Sequence, residues 1–244
     1  MLTSTRSLIA ATLLAGTVFA AAPAMAQDAT SSITLTGNAS IVSQYRFRGV
    51  DLSGGDIAVQ GGIDASHSSG FYVGTWGSSL DEDTVGYGHT ELDLYGGWAG
   101  DVASGVNANV GVIRYVYPNA GAGNFDYTEL YGKLGFGIGP ATATVGVAYA
   151  PKQDSLGSTD NLYLYTDVGV AIPSTPVTLT AHLGYTDGFL TYTPDGTAFD
   201  YSVGAKVAIN QKLSASLSYV AADGHSAPYN FVNDAVVATL GVSF

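Results

Sequence analysis

The last stretch of the chain, "DAVVATLGVSF" (residues 234–244), decides the fold class. Its apolar residues occupy every second position from Val236 to Phe244, and small or polar residues occupy three of the four positions between them. A period of two residues is typical of a β-strand with one apolar and one polar face. The chain therefore ends in an amphipathic strand whose last residue is aromatic.

The same alternation runs through the sequence from residue 32 onward, and no segment has a convincing helical period. "HTELDLYGGW" (residues 89–98), for example, places Leu92 and Leu94 on one face and Glu91 and Asp93 on the other. The sequence therefore predicts an all-β protein. We expect twelve strands, at residues 32–48, 56–67, 70–78, 88–98, 105–117, 125–138, 140–150, 160–172, 176–186, 198–209, 212–221 and 234–244.

The connections between these strands alternate strictly in length. Five are short: "SSG", "AGDVAS", "GP", "PSTP" and "NQ". Six are long and polar: "GVDLSGG", "SLDEDTVGY", "YPNAGAGNF", "APKQDSLGSTD", "DGFLTYTPDGTAF" and "ADGHSAPYNFVND". Short periplasmic turns and long external loops are typical of outer-membrane barrels. The rhythm predicts a single closed antiparallel transmembrane β-barrel with both termini in the periplasm.

Residues 1–26 have the features of a cleaved signal peptide: a basic residue at Arg6, an apolar segment and "AMA" before Gln27. Residues 27–244 then form one outer-membrane domain of a Gram-negative envelope. The chain has no cysteine, so a closed sheet must stabilise it in place of disulfides. A strand ending on an outward Phe244 resembles the terminal strand that the barrel-assembly machinery reads, which makes that machinery an expected partner.

The first strand carries "SQYRFRGVDLSGG" (residues 43–55), in which two arginines alternate with two aromatic residues. Continued alternation predicts that Tyr45 and Phe47 face lipid in an aromatic girdle. Arg46 and Arg48 would then point into the lumen near its external mouth. An arginine facing the middle of the bilayer would cost about 2–4 kcal/mol, which favours the inward assignment.

The orientation of two other strands stays open. Strand 70–78 could present either Phe71 and Val73 or Tyr72 and Trp76 to the outside. In strand 105–117 the residues expected to face outward switch from even to odd positions between Val112 and Tyr115. We interpret this switch as a bulge near Ile113.

The inward positions of the strands define a candidate pore lining that is charged and rich in tyrosine. It comprises Arg46, Arg48, Asp64, Glu91, Asp93, Tyr95, Glu129, Tyr131, Lys133, Tyr163, Tyr165, Asp167, Asp200 and Lys206. The tyrosines offer amphipathic surfaces on which sugar or base rings could stack. One hypothesis is a porin for passive diffusion of small hydrophilic solutes. The alternatives are an ion-paired interior that holds the strands in register, and a non-conducting barrel whose external loops act as scaffold, adhesin or receptor.

The segment "SQYRFRGVDLSGGDIAVQGGIDASHSSGFYVGTWGSS", followed by "ELDLYGGW", resembles the TorF family of proteobacterial porins. The resemblance is densest over residues 43–98 and looser toward the C-terminus. It implies an outer-membrane barrel with a transport function, surrounded by lipid and lipopolysaccharide, and it names no substrate.

Other function classes have weaker support. The net charge of −12 argues against nucleic acid as a partner, since binding to phosphates requires basic patches. An enzyme is not expected, although His225 with Asp223, and His89 beside Glu91, are the pairs that could act in acid–base chemistry. No cofactor is implied. The histidine spacing predicts no metal site, although the acids of Asp81–Asp83 could bridge lipopolysaccharide through divalent cations.

Overall fold

The computed structural model describes residues 32–121, 123, 125–224 and 231–244. Twelve long strands form one closed antiparallel barrel, and two very short strands form a separate hairpin. The prediction of an all-β chain with a twelve-stranded barrel is confirmed. None of the described residues forms a helix that is long and apolar enough to cross a membrane. The predicted signal peptide lies outside the described residues.

The strands are numbered in chain order. They are β1 Ile33–Val42, β2 Arg46–Phe47, β3 Val50–Asp51, β4 Ala58–His67, β5 Phe71–Ser79, β6 Thr90–Ala103, β7 Val106–Val116, β8 Tyr127–Ile138, β9 Ala141–Gln153, β10 Thr159–Ala171, β11 Val177–Gly188, β12 Thr197–Ala208, β13 Leu213–Ala222 and β14 Ala235–Ser243. A single turn of 3-10 helix, Asp154–Leu156, joins β9 to β10.

The barrel closes where β1 pairs with β14, from Asn38 opposite Ser243 to Val42 opposite Thr239. Every other long strand pairs with its neighbours along the chain, so no strand edge is left open. Only closed barrels and helices can bury all their backbone hydrogen bonds in lipid, and this topology meets that requirement. The long connections lie together at one end, here called the loop end, and the short ones at the other, the turn end.

The outer surface of the barrel is apolar. Leu35, Ile63, Leu94 and Leu240 are exposed, and each alternates with an inward residue. Outward aromatic residues collect near both ends of the barrel: Tyr149, Tyr185, Phe199, Tyr201 and Tyr219 toward the loop end, and Phe71 and Phe244 toward the turn end. These two groups occupy the positions where aromatic girdles of membrane barrels lie.

The structure decides both of the open strand orientations. In β5, Phe71 and Val73 face outward and Tyr72 is buried inside. In β7 the predicted bulge near Ile113 is wrong, because the pairing with β6 and β8 is continuous through that residue. Ile113 is simply an apolar residue that points inward. The register shift lies instead in β6, between Asp101 and Ala103.

The first strand differs most from the prediction. β1 ends at Val42 rather than at residue 48, and the chain leaves the barrel wall. Arg48 and Gly49 both have positive φ, 50° and 80°, and form a two-residue turn between β2 and β3. Turns of this kind match the twist of a tight hairpin. Residues 43–57, here called the mouth loop, therefore fold over the lumen.

Candidate functional site in the barrel lumen

The lumen is lined by the inward side chains of the twelve long strands. All twelve strand residues predicted to line the pore occupy inward positions: Asp64, Glu91, Asp93, Tyr95, Glu129, Tyr131, Lys133, Tyr163, Tyr165, Asp167, Asp200 and Lys206. Their neighbours along the strands, such as Leu92, Leu130 and Leu164, are exposed on the outer surface.

The mouth loop places its aromatic residues inside the barrel, so the predicted lipid-facing position of Tyr45 and Phe47 is wrong. Tyr45 is 2% exposed, and its hydroxyl donates to Oε1 of Glu91 at 3.2 Å. Its ring meets Trp76 edge-on. Burial raises the pKa of the Tyr45 hydroxyl well above its ordinary value, so the group stays protonated and donates. The hydrogen bond to Glu91 and the contact with Trp76 therefore stabilise Tyr45 inside the barrel, whereas the sequence predicted contact with lipid.

Arg48 fastens the mouth loop to the opposite wall. Its Nη2 donates to Oε2 of Glu129 at 2.7 Å, and both side chains are almost completely buried. The guanidinium also lies over the rings of Phe47 and Tyr163, 4.8 and 4.2 Å from the ring centroids. Glu129 accepts a second hydrogen bond from Tyr115. The loop thus reaches from the β1–β4 side of the barrel across the lumen to Glu91 on β6 and Glu129 on β8.

Arg46 lies at the rim and joins loops rather than lining the interior. Its Nη1 donates to the carbonyl oxygens of Asn233 and Gly49, and its guanidinium lies 3.6 Å from Asp51. The backbone amide of Asp51 donates to the carbonyl of Phe231. The mouth loop is therefore held both by the wall and by the last external loop.

Tyrosines line the middle of the lumen and lie across glycines of neighbouring strands. A Cβ at Gly74 would overlap the Tyr95 ring, and one at Gly111 would overlap Tyr131. Tyr95 donates to Oδ1 of Asp64 at 2.8 Å. The hydroxyls of Tyr72 and Tyr131 contact each other. Glycine is required at these positions because only a residue without a side chain lets the rings lie along the wall.

Tyr163, Tyr165 and His182 form a second aromatic group on β10 and β11, here called the tyrosine platform. The two tyrosine rings are 5.5 Å apart with planes 19° apart, and His182 lies 6.2 Å from Tyr165. The imidazole sits between two carboxylates, with Nδ1 2.7 Å from Oδ1 of Asp167 and Nε2 3.0 Å from Oδ1 of Asp200.

The half of the lumen near the turn end is lined by smaller side chains. Thr36, Asn38, Thr178, Lys206 and Ser216 point inward there and are half-buried. A Cβ at Gly137 would have no atom within 4 Å. This half of the lumen is therefore roomier than the half beneath the mouth loop.

Comparison with known proteins identifies the family. The model of the Gcw_chp family, described as "Bacterial protein of unknown function", matches residues 26–244. The chain belongs to the Gcw_chp family. No curated protein sequence matches it. The description of the Gcw_chp family names no activity, so the chemistry must be inferred from the lumen itself.

Solved structures similar to this Gcw_chp chain include a porin and an outer-membrane protein. The KdgM porin superposes with a TM-score of 0.57 at 8% identity, covering 86% of this chain and 98% of that one. The KdgM porin in complex with disordered oligogalacturonate gives a TM-score of 0.56, also at 8% identity, and covers 86% and 97%. OpdK from Pseudomonas aeruginosa gives 0.46 at 13% identity, covering 87% and 67%. At these identities the KdgM likeness is one of fold.

The acid–base pairs suggested by the sequence do not form within the described part of the chain. Nδ1 of His89 contacts Thr90, whereas the Glu91 carboxylate points into the lumen toward Tyr45. His225 lies outside the described residues. Asp81 accepts hydrogen bonds from the Asp83 amide and the Thr84 hydroxyl within its own loop. Among the residues that the structure describes, no three histidine, aspartate or glutamate residues are grouped so that they could hold a metal ion.

Sequence reasoning misses two features of the lumen. It assigns no role to His182, although the inward position of this residue on β11, opposite Asp167 and Ser202, was available from parity. The sequence gives no comparable sign that the mouth loop enters the lumen, because aromatic and charged residues alternate in residues 45–48 just as apolar and polar residues do in β1.

Proposed function

We propose that the protein is an outer-membrane porin through which small hydrophilic solutes diffuse passively. One observation carries the proposal: a closed barrel with an apolar outer surface encloses a lumen lined by charged and hydroxyl-bearing side chains. In porins, a polar interior inside a lipid-facing wall is a water-filled channel.

The orientation of the barrel follows from its two unlike ends. β1 begins and β14 ends at the turn end, which we assign to the periplasm, and the long loops face the outside. We propose that residues 1–26 direct export and that the strand ending at Phe244 engages the barrel-assembly machinery. The likeness of this fold to the KdgM porin and the resemblance of residues 43–98 to TorF-family porins support a location in the outer membrane.

The mouth loop is the barrier in this channel. It reaches across the lumen from β1 and β4 to Glu91 on β6 and Glu129 on β8, so solutes pass beside it or displace it. The strand residues and arginines of the predicted lining comprise four cations and six acids, which favours weak selectivity for cations. Arg48, engaged with Glu129, closes the passage more than it attracts anions.

Single-channel recording on the refolded mature protein tests the proposal. We expect reproducible open steps and a reversal potential of weakly cation-selective sign in a salt gradient. The variant Arg46→Gln/Arg48→Gln should still refold and migrate as a heat-modifiable band. Its conductance or its cation preference should rise, most visibly at low salt, where charges are weakly screened. Unaltered permeation in a folded double variant would contradict the role given to the mouth loop.

A non-conducting barrel is the second candidate, and one observation favours it. Tyr45 of the mouth loop and four wall residues beneath it are each at most 2% exposed, so this part of the lumen is filled; the wall residues are Tyr115, Tyr127, Glu91 and Glu129. Such a barrel would serve as a surface scaffold, adhesin or receptor through its loops. Electrical silence of the folded protein over a range of salts and voltages would favour this function over the porin.

A further inference from the structure

We propose that the tyrosine platform is a binding subsite for neutral saccharides, approached from the turn end of the lumen. The proposal rests on the porin function and names its substrate class. It concerns Tyr165, His182 and Asp167, which are partly accessible, together with the more deeply buried Tyr163 and Asp200.

The rings of the platform lie nearly parallel, and those of Tyr165 and His182 keep part of their surface accessible. Tyr165 can lie across the neighbouring strand because Gly146 there has no side chain. A Cβ at Gly146 would overlap the Tyr165 ring. Tyr163 extends the other way, over Gly184. The planes of Tyr163, Tyr165 and His182 agree within 30°. Amphipathic rings held in this way can stack on the C–H face of a sugar.

Two carboxylates flank this surface, one on each side of the His182 imidazole. The Asp167 side chain is 25% exposed and uses Oδ1 for His182. Oδ1 of Asp200 accepts from Tyr163 and contacts His182, but its Oδ2 is buried with no hydrogen-bond partner among the described residues. That oxygen is closed off from solutes as well, so the partly accessible Asp167 is the carboxylate that a sugar hydroxyl would reach.

The direction of access follows from what covers each ring. The Arg48 guanidinium lies over Tyr163 from the side of the mouth loop. Toward the turn end the inward neighbours are small, with Thr144 opposite Asp167, Thr180 opposite Gly169 and Ser202 opposite His182. A sugar in the turn-side half of the lumen would therefore meet the platform before it meets the mouth loop.

Charge selects a neutral sugar over an acidic one. With a protonated imidazole and the Lys133 ammonium near Asp167, the charges of Asp167 and Asp200 are balanced, and Arg48 is already paired with Glu129. The platform therefore offers no excess of positive charge to a polyanionic sugar with a carboxylate on each ring. Neutral pyranoses supply the donors that the carboxylates need without adding negative charge.

Isothermal titration with maltotriose and trigalacturonate tests the proposal directly. The refolded protein is held in a detergent without a sugar headgroup, so that the detergent does not compete. We expect maltotriose to bind with a dissociation constant of roughly 1 mM or lower, and trigalacturonate to bind at least about tenfold more weakly. No binding of maltotriose, or tighter binding of the acidic sugar, would overturn the subsite.

Matched variants locate the binding site. Tyr165→Leu should weaken maltotriose binding about threefold to tenfold, whereas Tyr165→Phe keeps the ring and should bind as the parent does. Tyr201→Leu, an outward-facing control, should have no effect. If Tyr165→Leu fails to fold, Asp167→Asn serves instead and should also weaken binding. Equal binding by all folded variants would place the sugar elsewhere and contradict the proposal.

Titration and single-channel recording separate the two proposals. Open steps with no maltotriose binding would leave the porin function standing and remove the subsite. Binding without open steps would keep the subsite and remove the channel. When both are present, maltotriose should shorten the open steps of the parent and not those of Tyr165→Leu.

Discussion

The two halves of the lumen are built on the same twelve strands and differ in almost every other respect. On the loop side, Glu91, Tyr115, Tyr127 and Glu129 are at most 1% exposed and the mouth loop fills the space between them. On the turn side, the inward residues are mostly threonine, serine and glycine and are half-buried. The wall is the same, so the difference comes from side-chain size and from the inserted loop.

This contrast explains why the number of strands does not settle whether the barrel conducts. A barrel of eight strands is filled by its own side chains, and one of sixteen leaves an aqueous channel. With twelve strands, small residues leave room on the turn side, whereas tyrosines and one loop suffice to fill the loop side. If the barrel conducts as proposed, passage is controlled by the loop-side half of the lumen.

The largest difference is expected when the same charged side chain is placed in each half. Ala148, on the loop side, is completely buried, so Ala148→Lys adds volume and an unpaired charge and should prevent refolding. Ser216→Lys, on the roomier turn side, should refold normally. The fraction of heat-modifiable protein on a gel measures the folding of both variants. Leu240→Lys is the control: it places a charge in lipid, at a cost of about 2–4 kcal/mol, and should not fold. Normal folding of Ala148→Lys would show that the loop-side half is not packed.

The second prediction concerns the ion pair that holds the mouth loop. Glu129→Gln leaves the buried Arg48 guanidinium without its carboxylate, a change that typically costs about 3–5 kcal/mol. The midpoint of urea unfolding should fall, or the loop should leave the lumen and conductance should rise. Lys206→Gln, on the turn side, should change stability by less than about 1 kcal/mol. An unchanged midpoint together with unchanged conductance in Glu129→Gln would contradict the fastening role of this pair.

The third prediction locks the loop to the wall. A Cβ at Gly49 would overlap the Ala222 methyl carbon, and the chain has no cysteine of its own. The turn must therefore move by about 1–2 Å for a disulfide to form between these positions. We expect Gly49→Cys/Ala222→Cys to form a disulfide that abolishes open steps, and a reducing agent to restore them. The single variant Gly49→Cys controls for strain at φ 80°. Equal conductance of the oxidised and reduced forms would mean that solutes pass beside a stationary loop.

The smallest expected effect comes from adding one methyl group to a glycine in each half. Gly184→Ala would collide with Tyr163 and Asp200 and should destabilise the barrel by about 1–3 kcal/mol. At Gly137 on the turn side there is open space, so Gly137→Ala should be neutral or stabilising by up to about 1 kcal/mol. Urea unfolding in the same detergent measures both. An equal loss of stability in the two variants would show that the two halves do not differ in packing.

Much of the fold could be predicted from the sequence because its causes are local. Alternation at Leu92, Leu94, Glu91 and Asp93 assigns each side chain to a face, since successive residues of a strand point to opposite sides. The alternation of short and long connections then predicts an up-and-down barrel. The predicted bulge at Ile113 failed because it assumed that apolar residues face lipid, whereas an apolar residue can also fill the interior.

The candidate site could be predicted only in part. Parity placed Tyr163, Tyr165, Asp167 and Asp200 inside, but their assembly around His182 needed the register of three strands. Single-strand patterns do not contain that register, and it depends on how the strands are staggered in the closed barrel.

The mouth loop marks the limit of what the sequence alone determined. Composition and period-two patterning determined the strands, the inward faces and the two unlike ends. Only the tertiary structure decided that "YRFR" leaves the wall, because its destination depends on Glu91 and Glu129, which lie 46 and 81 residues away along the chain. A buried arginine is stable only beside a carboxylate, and that pairing requires the barrel to bring distant strands together.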